Sequence, residues 1–176
     1  MTTIIIFVIG TIILVGGVFY TQTKNFRESR ARELINSSEF INLNKLGFKT
    51  TRIDLQEIYL GEFNGYQFAV FIDPDDAMAK TEFSIVFAVC YSKIDDETFK
   101  RLNNEYYNRI KSLLLQSENV FFNKEYAQFR YPNSLLRIPK NKLISKLTYI
   151  SEILKNENLK AAQLTDIKTF ISRDYE

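Results

Sequence analysis

Carboxylates offer the first chemistry in this sequence, in two short acidic clusters. Asp73-Pro74-Asp75-Asp76 follows an apolar run, and Asp95-Asp96-Glu97 precedes a helical pattern. A calcium loop needs more oxygen ligands at set spacing, including a late Glu and a glycine for its sharp turn, and these are missing after Asp73. The second cluster fits a helix start, with Asp95 as N-cap and acidic residues at the positive end of the helix dipole. We therefore predict a solvated turn at 73–76 and a capped helix from Asp95, with neither metal nor catalysis at either place.

Nucleophilic and metal chemistry is limited by two counts, because the chain has no histidine and a single cysteine, Cys90. Histidine is the commonest general base at neutral pH and the commonest metal ligand. A zinc site, or a Ser-His or Cys-His nucleophile, therefore cannot be built from this composition. Cys90 ends an apolar run, where a thiol usually serves as a small buried hydrophobe. The sequence predicts a non-catalytic protein without a cofactor; catalysis through carboxylates or lysine is the remaining enzymatic option.

Basic residues form two groups that we interpret as a membrane-surface or anion contact. One group follows the apolar N-terminus. The other lies at the start of the last predicted helix, where cations oppose the helix dipole and an external anion would compensate. Each basic residue near an anionic bilayer contributes on the order of 1 kcal/mol. A solvated helix face is the alternative. The residues are Lys24, Arg27, Arg30 and Arg32 in the first group, and Arg137, Lys140, Lys142 and Lys146 in the second.

Aromatic residues are abundant, with 15 Phe and 10 Tyr. Tyr is favoured at protein interfaces, because it offers a large contact area at a small entropy cost. If several of these side chains share a sheet face that no helix covers, that face is a docking surface for a protein. Burial in the core is the alternative. The candidates are Tyr59, Phe63, Tyr66, Tyr126 and Tyr131.

The N-terminal segment is the feature that points to a membrane. All 23 basic and 21 acidic residues lie from Lys24 onward, and residues 4–20 are almost wholly apolar. A helix of about 18 residues spans roughly 27 Å, close to the thickness of the hydrocarbon core. We predict a transmembrane anchor at 1–22, a juxtamembrane helical segment at 23–46 and a soluble α+β domain at 47–176. A cleaved signal peptide ending near Gly17 and a buried core helix are the alternatives.

The basic residues after the span also predict its orientation. Positive charge beside a membrane helix marks the cytoplasmic side, so the domain is expected in the cytoplasm. A single cysteine agrees with a reducing compartment. The richness in Asn, Lys, Ile, Phe and Tyr is typical of an AT-rich bacterial genome. We therefore predict a single-pass protein of a bacterial inner membrane.

The elements of the domain follow from periodicity and turn signals. We predict an α+β fold with the order α-βββ-α-ββ-α, an antiparallel sheet of about five strands and helices on one face. Asn64-Gly65 predicts a type I′ hairpin turn, and Gly47 a helix C-cap. The apolar run 82–91 predicts a central strand covered on both sides. The predicted strands are 51–63, 66–72, 82–91, 120–122 and 126–131, and Leu164, Ile167 and Ile171 suggest a short final helix.

These patterns favour one function over two others. A net charge of +2 gives no basis for nucleic-acid binding. The leading interpretation is a membrane-anchored, non-catalytic protein-binding domain, either a subunit of an envelope assembly or an immunity-type protein. The alternative is a lipid- or small-ligand-binding domain at the membrane surface, and an enzyme using carboxylates or lysine comes third.

Overall fold

The computed structural model describes residues 16–18, 29–53, 56–73, 83–112, 119–133 and 138–163. Residues 16–18 are helical, and residues 29–35 form helix α1. The other helices are α2 (Ser38–Lys45), α3 (Asp96–Ser112) and α4 (Lys142–Asn156). The strands are β1 (Lys49–Ile53), β2 (Gln56–Phe63), β3 (Tyr66–Asp73), β4 (Phe83–Cys90), β5 (Asn119–Phe122) and β6 (Tyr126–Asn133).

The strands form one antiparallel sheet of six strands in the order β1-β2-β3-β4-β6-β5. The predicted α+β class is confirmed, but the count of about five strands is wrong. Residues 51–63 were predicted as one strand, and they belong to two strands that pair with each other. The register joins Ile53 to Gln56, so two residues connect the strands. The apolar-polar alternation of the sequence continues from residue 53 to residue 56, which is why the periodicity did not reveal two strands.

Local sequence signals explain two of the turns. Asn64 and Gly65 have φ values of 53° and 87°, both positive as a type I′ turn requires. Gly47, with a φ of 90°, follows the C-terminus of α2 as predicted. Its N–H donates to the Asn44 carbonyl at 3.0 Å, and the Phe48 N–H donates to the Leu43 carbonyl at 3.1 Å. These bonds close the last turn of α2 and send the chain into β1.

The main core lies between the sheet and the helices. Each of α1 to α4 contributes side chains to one cluster, which we call the helix-side core. The strands contribute alternate residues to it, as the pleat of a sheet requires. Among its members with 1% exposure or less are Phe40, Phe68, Phe87, Leu102, Phe129, Leu143, Leu147 and Ile150.

The opposite side of the sheet carries a second, smaller cluster, which we call the second face. Its buried members are Ile58, Ala69, Phe71, Val86, Ala88 and Cys90. Ala162, beyond α4, packs against this cluster, and Ala161 forms an antiparallel bridge with Tyr91. All eight residues of β4 are buried, and β4 lies between β3 and β6. This confirms the prediction of a central, covered strand.

Several predictions fall on residues outside the described ranges. The predicted anchor at 1–22 lies there except for the helical residues 16–18. The final helix suggested by Leu164, Ile167 and Ile171 also lies there. Within the described ranges, no helix combines the length and apolar character needed to cross a bilayer.

Gly61 in β2 allows a close approach that a side chain would block. A Cβ atom built on Gly61 would lie 2.5 Å from Cγ of Phe48 and within 2.8 Å of both neighbouring ring carbons. Phe48 is 3% exposed and belongs to the helix-side core. The ring therefore packs directly on the β2 backbone and fastens the turn after α2 to the sheet.

Substitution Gly61→Ala is expected to destabilise the fold by about 1–3 kcal/mol, because the added methyl group overpacks the site. Chemical denaturation followed by circular dichroism measures this change in the free energy of unfolding. A matched control makes the same substitution in a Phe48→Leu background, where the smaller side chain leaves room for the methyl group. An equal cost in both backgrounds would contradict the proposed contact.

Candidate functional site

The predicted basic contact is only partly within the described residues. Lys24, Arg27 and Arg137 lie outside them. Arg30 on α1 is half-buried and forms an ion pair with Glu33. Arg32 is exposed.

The second basic group lies at the start of α4. Asn141 is the N-cap with a φ of 61°, its side chain makes no capping hydrogen bond, and the first turn contains no acidic residue. Lys140 is exposed and Lys142 is half-buried. The Lys146 ammonium lies 3.8 Å from the centroid of the Tyr131 ring and 5.5 Å from that of Tyr149. Lys146 is thus engaged by aromatic rings through cation–π contacts, whereas Lys140 projects into solvent.

Three of the five predicted interface aromatics lie in the helix-side core. Tyr59, Tyr66 and Tyr131 are exposed by 4%, 6% and 5%. The Tyr59 hydroxyl donates to the Ile35 carbonyl at 3.3 Å, and the Tyr66 hydroxyl donates to the Leu159 carbonyl at 2.7 Å. These residues therefore fasten α1 and the segment after α4 to the sheet.

The other two aromatics do not create a shared surface either. Phe63 is half-buried against the helix-side core, and Tyr126 is half-buried against the second face. Tyr59, Tyr66 and Tyr131 therefore do not lie on an open sheet face. Phe63 and Tyr126 pack against opposite sides of the sheet. The hydroxyls of Tyr59 and Tyr66 find backbone acceptors beneath the helices, which lets these two tyrosines serve as core residues.

A buried polar cluster on the second face was not found from sequence. The Arg130 guanidinium donates to Oδ2 of Asp73 at 2.9 Å and to Oε1 of Gln128 at 3.1 and 3.3 Å. Arg130, Asp73 and Gln128 are exposed by 4%, 6% and 4%. Asp73 is therefore not a solvated turn residue as predicted, and the rest of that turn, residues 74–76, lies outside the described ranges. Its partner is 57 positions away in the chain, so no local pattern could reveal the pair.

The carboxylates before α3 act in capping and ion pairing. The Thr98 N–H donates to Oδ1 of Asp95 at 2.7 Å, which confirms the predicted N-cap. This bond lowers the pKa of Asp95, because it stabilises the carboxylate. Asp96 pairs with Lys124, and that contact lowers the pKa of Asp96. Both groups are ionised at neutral pH, so neither is suited to act as a general acid.

The thiol of Cys90 is protected from reaction. It is 6% exposed on the second face, and burial raises the pKa of Cys90 to about 12, with a further contribution from Glu125. The neighbouring Tyr91 hydroxyl donates to the carbonyls of Asn123 and Tyr126 at 2.6 and 2.8 Å. A nucleophilic thiol needs an electropositive, accessible environment, and Cys90 has neither property.

The two edges of the sheet differ in how their backbone groups are satisfied. At the β5 edge, the Asn103 side chain on α3 donates to the Phe122 carbonyl at 3.0 Å and accepts from the Phe122 N–H at 3.2 Å. One amide side chain thus occupies the outward backbone groups of an edge residue.

The β1 edge has no such cover within the described residues. Phe63 and Tyr66 flank the two-residue turn between β2 and β3, so they form a hydrogen-bonded pair. Along each strand, successive residues then bond alternately to the neighbour on one side and to the neighbour on the other. In β1, the backbone groups of Lys49, Thr51 and Ile53 then bond to β2. Those of Thr50 and Arg52 point away from the sheet, and no described group bonds to them. The side chains of Thr50 and Arg52 are exposed as well.

These features define a class of domain rather than a reaction. No cluster of three or more His, Cys, Asp or Glu residues suited to a metal occurs in the described part of the chain. The sequence matches no protein-family model, and neither the curated proteins nor the solved structures give a significant match. The molecule is a mixed α+β protein built on a six-stranded antiparallel sheet, and its open edge is the candidate functional site.

Stability should fall as the pH rises above 9, because burial raises the pKa of the Cys90 thiol from 9.0 to about 12. The unfolded chain then loses the thiol proton while the folded chain keeps it, so deprotonation favours unfolding across this interval. Denaturation midpoints measured from pH 7 to 10 should decline above pH 9 in the natural chain. In Cys90→Ala the decline between pH 9 and 10 should be shallower, and equal slopes would refute this role of the thiol.

Proposed function

We propose that this chain is a membrane-anchored, non-catalytic protein-binding domain of a bacterial inner membrane. It would act as a subunit of an envelope assembly or as an immunity-type protein that occludes its partner. The uncharged apolar segment at 4–20 supports the anchor. The basic residues that follow it support a cytoplasmic position of the domain.

The state of the reactive groups supports a role without catalysis. Cys90 is buried and protonated at neutral pH. Asp95 caps α3, Asp96 pairs with Lys124, and Asp73 pairs with Arg130. Each of these groups has a structural role that accounts for its position.

The open β1 edge is the observation that carries the protein-binding proposal. A partner strand that adds to β1 can bond to the N–H and C=O groups of Thr50 and Arg52, and main-chain bonds of this kind supply affinity. Arg52 and Lys49 discourage pairing with unrelated edges. They also favour a partner strand that carries acidic side chains.

A lipid- or small-ligand-binding domain is the second candidate. It is favoured by the start of α4, where Lys140 and Lys142 stand beside an N-cap without a side-chain hydrogen bond. Cations at this end of a helix oppose its dipole, so a bound anion would stabilise them. The β1 edge provides more bonding groups than this position does, and we rank protein binding first.

Substitution Thr50→Pro should abolish partner binding while the fold survives, because it removes an N–H that points away from the sheet. Affinity purification from detergent-solubilised membranes, with chemical cross-linking, measures recovery of a stoichiometric partner. The natural chain and Thr50→Ala should both recover it.

Thr51→Pro is the matched control for this experiment. It removes an N–H that bonds to β2, so the thermal midpoint should fall for Thr51→Pro and stay near the natural value for Thr50→Pro. Recovery of no stoichiometric partner by the natural chain would count against a protein-binding function. Undiminished recovery by a folded Thr50→Pro would count against the β1 edge.

The anchor can be tested separately from the partner. The chain should remain in the membrane pellet after alkaline carbonate extraction, and its mature N-terminus should precede residue 17. Substitution of Ile9 and Ile13 by Asp should release it, because each charge in the middle of a span costs about 3 kcal/mol for insertion. Release of the unmodified chain would overturn the proposed anchor.

A further inference from the structure

A second exposed surface lies on α2 and the turn that follows it. It comprises Ile41, Lys45, Leu46 and Lys49, and we call it the α2 surface. Ile41 is 48% exposed and Leu46 is 41% exposed. The described residues contain three other exposed large hydrophobics, Val18, Phe121 and Tyr149, and they lie on separate segments. Two of these five residues therefore lie within one helix and its C-cap.

The exposed charged residues between positions 36 and 50 are both lysines. Glu39 is the acidic residue between positions 36 and 50, and it is buried with 4% exposure. Lys45 and Lys49 are exposed and make no ion pair with a described residue. Cations elsewhere in the described chain do pair with carboxylates, as in Arg30–Glu33, Lys93–Glu125, Arg101–Glu157 and Lys124–Asp96. The α2 surface thus combines apolar area with two lysines that form no ion pair with a described carboxylate.

The packing of α2 keeps this surface directed outward. On its inner side Phe40 and Leu43 are fully buried, and the Phe40 ring lies 5.1 Å from the Tyr59 ring, centroid to centroid. Ile41 and Lys45 are four residues apart and so lie on one side of the helix. Because the inner residues are fixed in the core, Ile41 cannot turn inward without unpacking α2.

We propose that the α2 surface rests on the anionic lipid bilayer to which the chain is anchored. Ile41 and Leu46 enter the boundary between headgroups and acyl chains, and Lys45 and Lys49 contact anionic headgroups. Exposed apolar side chains beside lysines are the pattern of interfacial helices. This inference rests on the proposed membrane anchor, which holds α2 near the bilayer because Ser38 follows the predicted anchor closely in sequence. The contact fixes the orientation of the domain, and therefore of the β1 edge, relative to the bilayer.

Spin labels placed on the full chain test this contact. In a Cys90→Ala background, single cysteines at Ile41→Cys and Leu46→Cys carry a nitroxide, and Phe121→Cys and Tyr149→Cys are matched controls on other exposed hydrophobics. The chains are placed in nanodiscs of phosphatidylcholine with or without phosphatidylglycerol. Collision rates with oxygen and with a water-soluble nickel complex then report the depth of each label.

The labels at 41 and 46 should favour oxygen in phosphatidylglycerol nanodiscs, and those at 121 and 149 should favour the nickel complex. Lys45→Gln and Lys49→Gln should each lower the ratio of bilayer-contacting to detached domains by about fivefold. Lys100→Gln, an exposed cation on α3, should cause no shift. Water-like collision rates at 41 and 46, or equal rates at all four sites, would overturn the contact.

A failure of the anchor gives a different result. In that case the chain does not enter nanodiscs at all, and the labels are measured with phosphatidylglycerol vesicles added to the free chain. Oxygen-accessible labels at 41 and 46 would then support the α2 surface without the anchor. Water-accessible labels would reject the contact as well.

Discussion

Strand β4 is apolar on both of its sides, and this feature governs how the layers of the fold are arranged. Phe83, Ile85, Phe87 and Val89 belong to the helix-side core, whereas Val86, Ala88 and Cys90 belong to the second face. Large side chains thus face the helices and smaller ones face the other way. An antiparallel sheet often leaves one face in water, but this strand requires cover on both. Its position between β3 and β6 agrees with this requirement, because it keeps β4 away from both edges of the sheet.

The small side chains on the second face also make room for the buried ion pair. Ser84 lies opposite Asp73 and Val86 lies opposite Arg130 in the ladder, so the Arg130 side chain reaches Asp73 diagonally across β4. A long residue at either intermediate position would block this path. A slip of one residue in β6 would carry Arg130 into the helix-side core. We interpret the pair as a device that specifies register, since buried ion pairs contribute little net stability compared with apolar packing.

The parts of the fold that the sequence predicted are those with local causes. The Asn64-Gly65 turn, the Asp95 cap, the Gly47 C-cap and the covered strand β4 each depend on residues within a few positions of one another. The failures have distant causes. Tyr59 and Tyr66 bond to Ile35 and Leu159, 24 and 93 positions away, and Asp73 finds its partner on β6. The division of residues 51–63 into two strands is the exception, because the alternation of the sequence continues across it. The β1 edge was not found from sequence either, because an edge is a property of strand order and strand order depends on which strands pair.

The difference between the two edges connects the fold with the proposed function. Strand β5 pairs over four residues, and the Asn103 amide on α3 occupies the outward groups of Phe122, so this edge is partly covered. Strand β1 is joined to the fold by five register pairs with β2 and has no comparable cover among the described residues. Its outward backbone groups bond to no described residue, so a partner strand could bond to them without breaking a described hydrogen bond. Among the described residues, Tyr59 and Tyr66 are buried beneath the helices, Asp95 caps α3, and Asp96 and Asp73 are ion-paired. The β1 edge and the α2 surface, in contrast, expose groups that bond to no described residue. These two surfaces are the physical basis on which the proposed binding role rests.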